Sequence, residues 1–285
     1  MSSLGTVYLV GAGPGAADLI TVRGAKLLSK ADIVFHDALV DPAMLELCPQ
    51  AIQVAVGKRC GKLSSAQEFI NKRLVDAAKK YQTIVRLKGG DPMLFGRADE
   101  ELSALSKAGI AVEIVPGITA ALAGAASLGK SLTLRGVSRS VAFITLAKAS
   151  DTSEGIKSSS NCSQQPIAHP TADTLVYYMG RKDAAQIAQQ LMALSPNHHG
   201  DTPVHILEAV STAKERHWES TLSTLAQGKA NAWFEPSSPA LILIGQALQT
   251  IPTAQPIEEN LQSPGSKIDD GLQHRQVLAH SRRRA

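Results

Sequence analysis

Three short stretches carry side chains whose types and spacing could do chemistry. In "VRLKGGDPMLFGRADEEL", Val85–Leu102, an apolar run ends at Leu87 and is followed by Lys88, Gly89, Gly90, Asp91 and Pro92. Two adjacent glycines let the backbone approach a flat ligand closely, and a carboxylate such as Asp91 accepts from hydroxyl or amino groups. A plain strand-to-helix turn capped by Asp91 is the simpler alternative. Arg97 and Glu100 stand three residues apart, the spacing of one helix face. A second stretch, "VGKRCGK", presents Lys58, Arg59 and Lys62, which suit a polyanionic ligand or a merely solvated loop. The third, Gly11–Ala16 in "VYLVGAGPGAADLI", satisfies the G-x-G-x-x-G/A fingerprint, with Asp37 placed after the next apolar run like a ribose ligand. Taken alone it reads as a dinucleotide loop.

Two further segments are weaker. "VPGITAALAGAASLG" opens an Ala-rich helix near Thr119 with residues small enough to admit a ligand or another helix, though core packing is the commoner use. "LVYYMG" ends an apolar run at Met179, whose thioether is core filler or an adaptable wall for a flat heterocycle. No G-x-x-x-x-G-K-[ST] or H-E-x-x-H occurs, and the eight histidines show no ligand spacing. P-loop hydrolysis and zinc catalysis are unsupported, and no metal is expected.

These residues need elements to hold them. Apolar β-branched segments alternate with helical periodicity, the pattern of a largely parallel α/β sheet. Strands are expected at Thr6–Val10, Ile33–His36, Gln53–Val56, Thr83–Leu87 and Ala111–Val115, with helices at Val22–Lys30, Ala43–Leu47, Ala66–Lys80 and Ala98–Ala108. Ser65 with Glu68 reads as a capping box for the third helix. After the helix at Thr119–Leu128, strands are expected at Val141–Leu146, Thr174–Met179, Val204–Glu208, Arg216–Ser220 and Ala240–Ile244, with a helix at Asp183–Leu194. That second set predicts more antiparallel pairing. The expected division is residues 1–130 and 131–250, each an α/β domain. The Ser-rich stretch 150–173 is read as a mobile loop and 251–285 as a disordered tail.

Composition bounds the rest. With 285 residues, 44% hydrophobic and 19% charged, the chain can bury two medium cores. A net charge of +4, partly in the terminal "HSRRRA", argues for no nucleic-acid partner. Cys48, Cys60 and Cys162 are odd in number and lack C-x-x-C, which fits a reducing compartment. The opening residues lack a basic region and a signal-length apolar run, and no later run reaches membrane-spanning length, so a cytoplasmic location with no membrane partner is expected.

Together, "VYLVGAGPG", "HDALV", "VGKRCG", "VRLKGGDPMLFGRADEEL", "VPGITAALA", "LVYYMG" and "PALILIGQAL" resemble, in order and spacing from Val7 to about Leu248, the S-adenosylmethionine-dependent tetrapyrrole methylase family, in particular those that methylate uroporphyrinogen III. The resemblance implies two α/β domains with the methyl donor in the cleft between them, in a homodimer. It implies transfer of methyl groups from S-adenosyl-L-methionine to C2 and C7 of uroporphyrinogen III, giving precorrin-2 for sirohaem and in some lineages cobalamin. Matched by motif position, donor contacts would be Pro14, Gly89, Gly90, Asp91, Leu94, Thr119, Ala120, Met179 and Val210, with Asp37 and Lys58 as proton acceptor and donor. Arg59, Arg97 and Arg135 would pair with the substrate's carboxylates, and Glu100 would orient Arg97 or meet a pyrrole N–H. The chain departs from the family's usual residues at Ala16, Leu134, "LAKA" and Val210. A sibling precorrin methylase, a non-catalytic tetrapyrrole-binding protein and an NAD-dependent dehydrogenase are the alternative readings.

Overall fold

The computed structural model describes residues 4–38, 40–56, 63–146 and 170–249. Lys58, Arg59, most of the 150–173 stretch and the 251–285 tail lie outside the described residues. Five parallel strands, β1 (Thr6–Gly11), β2 (Ile33–His36), β3 (Ile52–Ala55), β4 (Thr83–Lys88) and β5 (Val112–Val115), form one sheet in the order β3-β2-β4-β1-β5. Four helices connect them: α1 (Val22–Leu28), α2 (Pro42–Leu45), α3 (Leu63–Ala78) and α4 (Ala98–Lys107).

Local chemistry sets several of these ends. Thr21 caps α1 by accepting from the Gly24 N–H at 3.2 Å, and Asp41 caps α2 by accepting from the Ala43 N–H at 2.9 Å. The Ser65 side chain of the expected capping box on α3 lies outside what the structure describes. That helix starts at Leu63, so Ser65 lies inside its first turn rather than at its cap.

Alternation along β4 decides what each face of this sheet meets. Val85 and Leu87 pack with Val10, Leu28, Val34, Met44 and Val115 on the side of α1 and α2. Ile84 packs with Val7, Phe35, Leu74 and Leu105 on the side of α3 and α4. Arg86 and Lys88 share the Ile84 face by the period of two, yet are only 2% and 3% exposed. Strands β1 and β4 are neighbours whose connections leave in opposite directions: α1 covers one face and α4 the other. Such a switch point leaves a crevice at the carboxyl ends of the strands, where open α/β sheets bind ligands.

The second sheet contains β6 (Val141–Thr145), β7 (Thr174–Tyr178), β8 (Pro203–Glu208), β9 (Arg216–Thr221) and β10 (Ala240–Ile244), ordered β6-β7-β10-β8-β9. Only the β6–β7 pair is parallel; the other three pairs are antiparallel, as the sequence pattern predicts. One face is covered by α6 (Ala184–Leu194) and by α7 (Leu222–Ala226), a short helix that sequence periodicity did not reveal. The other face packs on α5 (Ala120–Ser127), whose Ala121 and Ala125 join Val176, Leu207 and Leu241.

Three glycines bring the loops after β1, β4 and β5 into backbone contact. A Cβ at Gly117 would lie 2.2 Å from the Gly90 oxygen and 2.8 Å from the Gly11 Cα. Gly13 and Gly90 pair through N–H to oxygen bonds of 3.2 and 2.7 Å, each with a positive φ. Gly117→Ala is therefore expected to destabilise the fold by about 1–3 kcal/mol through overpacking. Gly89→Ala, whose Cβ would meet nothing within 4 Å, should stay within about 0.5 kcal/mol of the parent. Equal urea midpoints for the two variants would show that the loops do not depend on this contact.

Candidate active site

The carboxyl edge of the first sheet is built over a buried charge network. The Arg86 Nε donates to Glu101 Oε1 at 3.0 Å and its Nη2 to Asp37 Oδ1 at 2.5 Å. The Lys88 Nζ donates to Glu101 Oε2 at 3.0 Å, and Gln67 adds a bond to Oε1 at 3.2 Å. The side chains of Arg86, Lys88 and Glu101 are 2%, 4% and 0% exposed, whereas Asp37 is 33% exposed. Two cations thus face two carboxylates, and only one member of the four reaches the crevice. Burial, with the Arg86 guanidinium alongside, pushes the Lys88 ammonium below the usual lysine value, although Glu101 opposes this. Asp37 and Glu101 together raise the Arg86 guanidinium against its own burial, so it stays charged.

Sequence reasoning missed Arg86 and Glu101 and gave Lys88 no role. The available signal was a pair of cations, two residues apart, inside an otherwise apolar strand. Glu101 sits in an acidic run, where nothing in the sequence distinguishes a buried carboxylate from exposed ones.

Asp91 ties two loops together: Oδ1 accepts from the Met93 N–H at 2.8 Å and Oδ2 from the Gly117 N–H at 2.9 Å. Gly89 and Gly90 border open space, with nothing within 4 Å of either Cβ position. Leu94 is half-buried just beyond them. Arg97 does not lie within a helix. It is the residue before α4, in a left-handed conformation, and its guanidinium holds Glu100 in a two-point pair of 2.6 and 2.8 Å. Phe95 also has a positive φ, so the turn around Gly96 is constrained on both sides.

The second sheet closes over these loops. Tyr178, at the end of β7, exchanges a 2.6 Å hydroxyl bond with Thr119 and accepts from the Ala121 N–H at 3.1 Å. Its phenol thereby caps α5, a task that the Thr119 side chain does not perform. Its ring packs against Phe95 at 5.1 Å and Phe143 at 6.2 Å between centroids, linking the loop after β4 to the second sheet. Met179 follows with φ 57° and is 56% exposed. The Ala16 N–H donates to Ser211 Oγ at 3.0 Å, so the first glycine loop also reaches the second sheet. Pro14 is half-buried in that loop and Ala120 is half-buried at the start of α5. The Val210 side chain is buried with Ala121 and Leu207 rather than lining open space. Arg135 is exposed in the turn closed by Leu134 and Ser138. Asp37, Gly89, Gly90 and Asp91 thus share one sheet edge, with Thr119, Met179 and Arg97 on the segments that flank it.

The dinucleotide reading does not survive this geometry. A dinucleotide fingerprint opens directly into a helix whose N-terminus binds pyrophosphate. Here Gly11–Ala16 leads into a short 3₁₀ turn at Ala17–Leu19, and α1 starts only at Val22. The sheet order differs from that of the dinucleotide fold, and the Asp37 carboxylate is held by Arg86.

A parallel sheet with helices on both faces and glycine loops at its carboxyl edge, met by a mainly antiparallel second sheet, defines an α/β protein with its candidate site at that edge. The chain belongs to the tetrapyrrole (corrin/porphyrin) methylases, whose family pattern matches residues 6–226. It is 41% identical over 253 residues to a uroporphyrinogen-III C-methyltransferase of Pseudomonas aeruginosa, covering 89% of this chain and 98% of that protein. It is 40% identical over 245 residues to a siroheme synthase of Pseudomonas fluorescens, covering 86% of this chain but 50% of that longer protein. In three dimensions it is similar to a uroporphyrin-III C-methyltransferase of Thermus thermophilus crystallised with S-adenosyl homocysteine. That match has a TM-score of 0.68 and 33% identity, over 86% of this chain and 94% of the other.

Two variants test the site's framework. Glu101→Gln leaves Arg86 and Lys88 facing one carboxylate and is expected to cost about 3–5 kcal/mol in urea unfolding. A cost below about 1 kcal/mol would show that Glu101 does not hold the network. Tyr178→Phe strips the cap from α5 and should cost about 1–3 kcal/mol, which the same measurement checks.

Proposed function

We propose that this protein methylates uroporphyrinogen III at C2 and C7 with S-adenosyl-L-methionine as donor, giving precorrin-2 for sirohaem and, where that route exists, cobalamin synthesis. The observation that carries the reading is the convergence, at one sheet edge, of the Gly89–Gly90–Asp91 loop and an Asp37 carboxylate held from below by Arg86. The relatives named above support it, since the chain spans nearly the whole of the P. aeruginosa methyltransferase.

The residues present fit such a donor. Open space borders Gly89 and Gly90, and exposed Met179 at the end of β7 would supply a soft wall for a flat heterocycle. Pro14, Gly89, Gly90, Asp91, Leu94, Thr119, Ala120, Met179 and Val210 would hold the donor, Val210 through its backbone. When bound, the donor supplies an electrophilic methyl group on a sulfonium. The protein's own task is to align the pyrrole carbon, exclude water and accept a proton.

In this reading the ring proton released on alkylation goes to Asp37 Oδ2, the oxygen that Arg86 does not hold. The Arg86 bond to Oδ1 fixes the carboxylate's orientation. Lys58 is the proposed proton donor. The substrate's carboxylates would pair with Arg59, Arg97 and Arg135, and Glu100 keeps the Arg97 guanidinium in one plane. The proposed organisation is two α/β domains divided near residue 130. A homodimer is proposed as well, supported by Leu122, Leu134 and Val137 standing 54%, 43% and 48% exposed. Among the described residues no helix is long and apolar enough to cross a membrane. A cytoplasmic location is proposed from the cysteine pattern.

Incubating the protein anaerobically with uroporphyrinogen III and S-adenosyl-L-methionine should add two methyl groups, read by mass and absorbance. Donor binding without methyl transfer would overturn the reading. Asp37→Asn is expected to lower turnover about 100-fold or more while donor affinity, measured by calorimetry, stays within about threefold. Gly89→Ala should do the opposite, weakening donor binding by filling the space beside the loop.

A further inference from the structure

The edge pair of the second sheet assembles a second cluster that the cleft does not use. Strands β8 and β9 run antiparallel in a register that sets His205 opposite Glu219 and Leu207 opposite His217. His217 and Glu219 are two apart on β9 and so share a face, and His205 is their direct or diagonal neighbour. The separation of twelve residues between the two histidines conceals this from motif spacing; the hairpin register creates it. Their ligand-capable atoms and the Glu219 carboxylate all lie within 4.8 Å of one another.

The buried member of the cluster has its tautomer fixed. His205 is 0% exposed, and its Nε2 lies 2.9 Å from the Leu248 carbonyl oxygen. A carbonyl only accepts, so Nε2 carries the proton and Nδ1 presents its lone pair. That Nδ1 faces His217 Nε2 at 2.9 Å. An imidazole donating its far N–H to a backbone carbonyl is the usual arrangement behind a metal-bound histidine. His217 and Glu219 are exposed, so a cation has an entry path.

The geometry points to a divalent transition-metal site, of the zinc class, formed by His205 Nδ1, His217 Nε2 and the Glu219 carboxylate, with water completing a tetrahedron. Metal–nitrogen bonds of about 2.0–2.1 Å at tetrahedral angles place two ligand nitrogens about 3.3 Å apart. The 2.9 Å separation therefore opens by a few tenths of an ångström, a movement available to the exposed His217 ring. Binding moves the His217 proton from Nε2 to Nδ1 by exchange with solvent, so two neutral imidazoles coordinate without net proton release. Lys130 adds a like charge near both rings, which Glu219 and, beside His217, Glu215 offset. Through Leu248 the site would fasten the edge hairpin to the chain just beyond β10, a structural clip separate from methyl transfer.

The test uses the full chain without a histidine tag, stripped of metal by a chelator. Titration with Zn²⁺ by calorimetry and with Co²⁺ by visible absorption should give one saturable site and the d–d bands of a tetrahedral nitrogen–oxygen set. His217→Ala and Glu219→Gln, both at exposed positions, should each weaken binding at least about tenfold and leave methyl transfer unchanged. Absence of saturable binding, or equal affinity in the parent and both variants, would overturn the proposal. A raised melting temperature on adding Zn²⁺ that is lost in both variants would support the clip.

Discussion

The rest of the cleft depends on one interaction: the Glu101 carboxylate shared between Arg86 and Lys88 beneath the sheet edge. Two cations inside a strand are unfavourable unless each is paired, because ions leaving water lose several kcal/mol of solvation. Glu101 supplies that partner from the first turn of α4, which fixes where this helix begins relative to β4. A Cβ on Gly96 would stand 2.6 Å from the Pro92 carbonyl oxygen and 3.2 Å from the Lys88 stem, so the turn before α4 carries a glycine there. Phe95 and Arg97, on either side of that glycine, adopt left-handed backbone conformations. Phe95 is thereby delivered to Tyr178, and Arg97 to Glu100.

The network also divides labour between its ends. At the buried end Glu101 is shared between Lys88 and Arg86. At the open end Arg86 presents one N–H to Asp37, the only member of the four with appreciable exposure. A carboxylate on a loop after β2 would otherwise sample several rotamers. Bonded to a guanidinium that is itself bonded to a rigid helix, it keeps one orientation. The orientation of this carboxylate is thus built from a buried charge balance, and the apolar packing of Phe35, Leu74 and Leu105 around it keeps water from relaxing it.

Much of the fold was legible in the sequence, because alternation and β-branched runs report burial of strands directly. Both Ile33–His36 and Ala240–Ile244 match the observed bounds, and the antiparallel character of the second sheet follows from its sparse helices. The loops that border the cleft were legible too, since glycine pairs and strand ends mark the sheet edge whatever the ligand. What was hidden depends on tertiary neighbours. The Leu222–Ala226 helix is too short for periodicity to reveal it. The Asp91 carboxylate, legible as a ligand or a cap, also bridges to Gly117, 26 residues away. Arg86 and Glu101 become a pair only once α4 lies on β4, and Tyr178 becomes a helix cap only once the two sheets meet.

The family departures can be weighed with the same physics. Ala16 contributes its backbone N–H to Ser211, a bond that any residue but proline could make, so the side chain at this position does not decide how the loop is held. Val210 places its side chain among Ala121, Leu207 and Leu241, while its carbonyl oxygen is what approaches Gly15. Its bulk is absorbed by the second sheet's core. Leu134 is exposed and acts through its backbone, which pairs with Ser138 to close the turn carrying Arg135. A side chain can change at such a position without moving the neighbouring guanidinium. These three departures fall where the backbone does the holding, and of "LAKA" only Leu146 is among the described residues, whereas in the charge network and the three-glycine junction side-chain identity is decisive.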